Sequence, residues 1–185
     1  MKIKRWIIAI ALAVGGASAL CAQEKIPSPP ADTTLIYVGG PEGELMSLPV
    51  EVGTATVSVV AVAKNDKKGF VELAGTAAAT SVNQASPRLY IFIPSGPGVH
   101  PAFVVRLDID KGKRRVPIML QKGLTGFAVP TDHIVIPHYR VLSTLGRLSF
   151  MEITPRLPLV PGEYAVMGED LNRIATFRVV ATSLN

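Results

Sequence analysis

The chain has 185 residues, with 19 Lys and Arg against 14 Asp and Glu, a formal net charge of +5, and one cysteine and one tryptophan. A single cysteine excludes an internal disulfide framework, and this length suits one domain. Three of the cations fall within the first five residues, so the positive balance is poor ground for a nucleic-acid partner.

Lys2, Lys4 and Arg5 precede an unbroken apolar run over residues 6–14, and small residues then lead to Ala22. Basic, then apolar, then small is the order of a secretory signal peptide. The run is too short for a bilayer-spanning helix, which needs roughly 20 apolar residues. The sequence therefore divides into a signal peptide over 1–22, a Pro-rich flexible tether over 23–32 and a single β-sandwich domain over 33–185. Cleavage after Ala22 takes away Trp6, Cys21 and three cations, leaving 16 basic residues against 14 acidic ones, a net charge of +2. The mature chain would then hold no thiol, and it is expected in the periplasm or outside the cell. The competing reading is cleavage before Cys21 and lipidation there, but bulky Leu20 stands where lipoprotein signals carry a small residue.

The tether contains Ile26-Pro27-Ser28-Pro29-Pro30, an extended polyproline-type stretch. Beyond it, short apolar runs alternate with Gly, Pro, Asn and Asp, and no stretch carries a helical stripe over three turns. Strands are predicted over 34–38, 44–48, 54–63, 69–74, 88–93, 102–109, 114–120, 133–136, 139–143, 150–154, 163–167 and 173–181. Phe103, Val105, Leu107 and Ile109 alternate with Arg106 and Asp108, which predicts one dry and one wet face. Leu89-Tyr90-Ile91-Phe92-Ile93 is apolar on both faces, as in a central strand. Asp110-Lys111-Gly112-Lys113 and residues 168–172 read as hairpin turns. Residues 75–87, rich in Ala, Thr and Ser, read as a loop or weak edge. Many short strands without interposed helices predict an all-β, antiparallel sandwich. An outer-membrane barrel fits less well, because 15 prolines lie in the mature region and aromatic girdles are missing.

One run is specific for architecture. Leu159-Val160-Pro161-Gly162-Glu163-Tyr164 resembles the corner before the penultimate strand of immunoglobulin-like and fibronectin-like sandwiches. The resemblance implies that Pro161 and Gly162 turn the chain between sheets and that Leu159 plugs the edge. Tyr164 would open the next strand, its hydroxyl reaching a backbone group upstream. A longer likeness resembles a group of uncharacterised exported bacterial proteins. It runs from Ser81-Val82-Asn83-Gln84 through Arg88-Leu89-Tyr90-Ile91-Phe92, the 103–113 hairpin and the corner. It implies export and sandwich architecture only.

Catalytic residue types are sparse. Ser95, in Pro94-Ser95-Gly96-Pro97-Gly98, is not the Gly-x-Ser-x-Gly elbow that a hydrolase serine occupies. His133 and His138 are five apart, so on a continuous strand they face opposite sides, and with Asp132 they fall short of a zinc set. Asp108 to Gly112 resembles a calcium loop but places Gly112 and Met119 where oxygen ligands belong. No metal or cofactor is expected. Lys111, Lys113, Arg114 and Arg115 form the one basic cluster of the mature chain, read as a hairpin tip with solvated charges and a possible interaction surface. The expected function is a non-catalytic envelope module acting in protein binding or structural assembly. Its expected partner is another envelope protein or an envelope polymer, not nucleic acid, with no membrane span after processing. The alternatives are a secreted hydrolase using His133 or His138 with Asp132, or a small-ligand or glycan binder.

Overall fold

The computed structural model describes residues 26–62, 66–96, 102–121, 127–168 and 170–181. The expected signal peptide, Cys21 and His100 lie outside the described residues. Those described form fourteen strands and no helix. A five-stranded sheet runs in the order β11 (Pro137–Leu145), β12 (Leu148–Pro155), β7 (Leu89–Pro94), β1 (Tyr37–Gly39) and β2 (Leu45–Ser47). The larger sheet begins with β3 (Val50–Glu51), β14 (Ile174–Val179), β13 (Gly162–Met167) and β8 (Phe103–Asp110). It continues through β9 (Lys113–Gln121), β5 (Asp66–Ala74) and β4 (Thr54–Val62). Two short pieces attach at its sides: β10 (Ile134–Val135) pairs with β8, and β6 (Ser81–Val82) lies parallel to β14. The other pairings are antiparallel, which bears out the all-β, antiparallel expectation.

The two sheets face each other across one apolar cluster. Ile36, Val38, Leu89 and Ile153 come from the smaller sheet and its approaches, and Val104, Tyr164, Val166 and Phe177 from the larger. Apolar side chains of β7 fall on both faces, and β7 is the middle strand of its sheet, between β12 and β1.

The larger sheet departs from a simple two-layer reading. Val105, Leu107, Ala165, Met167 and Ile174 pack on its other face against Val71, Leu73, Val116 and Ile118 of β5 and β9. The β5–β9 ribbon thus folds back over the sheet from which it extends. Strands β13 and β14 are consequently buried on both faces, and β8 is so only at Val104 and Val105. Arg106 and Asp108 of β8 are exposed and Val105 and Leu107 buried, as the alternation predicts; the departures are Val104, buried against the inter-sheet cluster, and Ile109, expected in the dry row but exposed.

Local chemistry accounts for the connections. Lys111 and Gly112 have φ of 49° and 76°, the pair of positive values that a two-residue hairpin turn needs. Pro117 sits inside β9 without breaking it. The Met119 amide points to Ala128 and away from β5, so the Pro117 nitrogen two residues earlier faces the same way and no β5 ladder bond is lost. Residues 75–87 are more than a loop. Val82 and Ala78 are buried, and β6 lies alongside Arg178 and Val179.

Candidate functional site

The corner is where the chain leaves β12 for β13, passing from the smaller sheet to the larger. The Tyr164 hydroxyl donates to the Val160 carbonyl at 2.7 Å, and its ring stacks on Phe177 with centroids 5.6 Å apart. Burial raises the Tyr164 phenol above its ordinary value, partly offset by the charge of Arg106 and by that hydrogen bond. Leu159 is buried, and its amide donates to the Ala85 carbonyl at 2.6 Å, pinning the corner to the 75–87 segment. Pro161 is exposed, and Gly162 begins β13.

The basic cluster does not behave as one solvated tip. Arg114 is only 2% exposed. Its guanidinium meets Glu51 through two bonds, Nη1 to Oε1 at 3.0 Å and Nη2 to Oε2 at 2.6 Å. It also donates to the Thr176 hydroxyl at 3.1 Å and the Ala74 carbonyl at 2.7 Å. Arg114 is therefore withdrawn from any partner, correcting the solvated reading. β9 alternates, so a residue next to a surface lysine points inward, where Glu51 of β3 balances its charge. Lys113 pairs with Glu72 and Arg115 with Asp110, each at 2.6 Å, and Arg115 also lies over the Phe70 ring at 4.4 Å. Among the described residues, Lys111 alone of the four has no ion pair.

A second crossover lies beside the corner. β10 belongs to the larger sheet and β11 to the smaller, and only Ile136 separates them. Pro137 opens β11, and the Ile136 carbonyl accepts the Arg156 amide at 2.9 Å, joining the two crossovers. Between them runs a groove of about 700 Å³. Its floor includes Leu159, Tyr164 and Val135, which belong to or pack against the inter-sheet core. Ile136, Leu157 and Val160 stand in the groove at 60%, 75% and 52% exposure. Chain that changes sheets cannot continue either ladder, so these side chains gain no cross-strand cover.

The same groove collects Asp132, His133 and His138. Spacing along a single strand would separate the histidines, but the change of sheet at Ile136 removes that assumption. His133 Nε2 lies 3.8 Å from Asp132 Oδ2 and 3.9 Å from Asp108 Oδ2, and its carbonyl accepts the Arg106 amide at 2.9 Å. The described lining contains no serine, threonine or cysteine, and the described residues offer no cluster of metal ligands. Ser95 lies at the end of β7, outside this groove, with its hydroxyl 2.7 Å from that of Ser149. Arg106 and Arg156 complete the lining, and neither has an acidic partner among the described residues.

Sequence reading missed both arginines as site residues, since Arg106 looked like the wet side of β8. The available signal was Leu157-Pro158-Leu159-Val160, which has more apolar side chains than one edge plug requires. Comparison with protein-family models, curated proteins and solved structures finds no match for this chain.

Proposed function

We propose that this chain is an exported, non-catalytic immunoglobulin-like sandwich module of the cell envelope that works by binding another protein. The observation that carries the reading is the open apolar strip of Ile136, Leu157 and Val160, flanked by two arginines that have no acidic partner among the described residues. An exposed apolar patch with a polar rim is the usual mark of an interaction surface. The immunoglobulin-like assignment draws support from the two packed antiparallel sheets, the final β13–β14 hairpin and the Tyr164 bond to Val160 at a Pro-Gly turn. Export is supported by the basic, apolar, small order of residues 1–22.

The test places a photo-crosslinking residue at Leu157 in the intact exported protein, with Ile109 as an exposed control elsewhere. The reading expects a discrete adduct from Leu157 and none from Ile109. No adduct at either position, or equal adducts at both, would end it. Mass measurement of the exported protein is expected to give a chain beginning at Gln23, and acyl chains on Cys21 would replace that with a lipid-anchored form.

One observation favours a second reading, a hydrolase: His133 of the same groove has the Asp132 and Asp108 carboxylates 3.8 and 3.9 Å from its Nε2. A histidine beside a carboxylate is a residue pair used in general base chemistry on a bound water. A hydrolase screen of the wild type and of His133→Ala/His138→Ala separates the readings, since turnover lost only in the variant would favour the enzyme.

A further inference from the structure

We infer that the groove takes an extended segment of a partner polypeptide in which acidic side chains sit beside apolar ones. The inference rests on the binding-module reading and adds the chemistry of the partner. Charge complementarity selects the occupant. Arg106 projects from β8 and Arg156 from the β12–β13 crossover, so cations stand on both sheets' sides of the apolar strip. Planar guanidinium groups hold carboxylates through paired hydrogen bonds, which rewards an acidic side chain at each end of an apolar stretch.

The apolar part has its own seat. Leu159 and Val135 carry the inter-sheet core up to the groove floor, so an apolar side chain laid there meets packed protein from both sheets. Leu157 and Val160, more than half exposed, form a wall that a ligand lying on the floor leaves partly wet. An extended chain covers floor and wall together, which favours a polypeptide over a small anion. Asp132 is the one acidic residue of the lining, and it faces His133 rather than either arginine's ion-pair shell.

The experiment uses fluorescence anisotropy on the folded protein with labelled synthetic peptides of equal length. One alternates leucine with glutamate, one leucine with lysine and one serine with glutamate. The leucine–glutamate peptide is expected to bind, with the other two at least about tenfold weaker. Arg106→Ala/Arg156→Ala is expected to weaken it by about tenfold or more, the scale of one lost charge-assisted contact. Leu157→Ser/Val160→Ser is expected to do the same, and all four positions are exposed enough for thermal unfolding to confirm intact folding. Raising NaCl from about 0.05 to about 0.5 M should loosen the leucine–glutamate complex several-fold.

Equal binding of the lysine peptide, or full affinity in either double variant, would overturn the inference. So would no binding of the leucine–glutamate peptide, or stronger, Leu157-dependent binding to vesicles of anionic phospholipid. Failure here with a Leu157 adduct still forming in the crosslinking experiment removes the acidic-segment inference alone. Loss of both results removes the binding-module reading as well.

Discussion

Replacing Arg114 by methionine should destabilise the domain far more than replacing its neighbour Lys113. Arg114 is 2% exposed and holds Glu51 through two charge-assisted bonds, and it also donates to the Thr176 hydroxyl and to the Ala74 and Gly75 carbonyls. Methionine keeps the aliphatic length but takes the cation from the Glu51 carboxylate, which retains the Thr176 hydroxyl as a donor, and leaves the Ala74 and Gly75 carbonyls without the guanidinium. Breaking a buried ion pair on one side costs about 3–5 kcal/mol. The Glu51 side chain is 24% exposed, so water can reach its carboxylate, and the lower end, about 3 kcal/mol, is expected. With a urea m-value near 2 kcal/mol/M, that is a fall of about 1.5 M in the unfolding midpoint. Lys113→Ala removes an exposed pair and should cost less than about 1 kcal/mol. Arg114→Met/Glu51→Leu should recover much of the loss, giving a coupling of about 2 kcal/mol in a double-mutant cycle. If Arg114→Met does not fold, Glu51→Gln provides the same comparison at a cost of about 1–2 kcal/mol. A midpoint for Arg114→Met no lower than that of Lys113→Ala would refute the reasoning.

Three further perturbations have expected outcomes. Tyr164→Phe removes the bond to the Val160 carbonyl and should cost about 1 kcal/mol in chemical denaturation, with an unchanged midpoint counting against its role in the corner. Gly53→Ala would set a Cβ 2.6 Å from Ile174 Cδ1 and 2.7 Å from Val71 Cγ1, both on buried side chains, so a loss of about 1–3 kcal/mol is expected by thermal unfolding. The Tyr90 phenol is pushed up to about 12, first by burial and then by its hydrogen bond to Glu152. Folded protein therefore keeps this proton where the unfolded chain has released it. The contribution is complete below about pH 10 and is lost as pH rises towards about 12, by about 1–2 kcal/mol. Tyr90→Phe should flatten that part of the stability profile, and an unaltered profile would exclude Tyr90 as its source.

How far the fold was legible varies by element. Twelve predicted strands fall on observed ones because alternation and apolar runs are local properties of the chain. The unforeseen strands are β3 and β6, two residues each and held mainly by β14. A two-residue strand has no periodicity to read. The double burial of β13 was written in Tyr164-Ala165-Val166-Met167, a run with no polar position, but the covering ribbon β5–β9 lies far away in sequence. The candidate groove was less legible still. His133 and His138 were judged as neighbours on one strand, and the switch of sheets at Ile136 places both in one groove.

By itself the sequence determined which segments extend, where Lys111-Gly112 reverses the chain, and that a Pro-Gly corner precedes Tyr164. These follow from backbone sterics and side-chain period over a few residues. Only the tertiary structure decided that Arg114 turns inward to Glu51 while Lys113 stays outside. It alone placed Arg106 and Arg156 along one apolar strip. A side chain's face is set by its own strand, but what covers that face is set by chain that is distant in sequence, and local pattern carries no record of that distance.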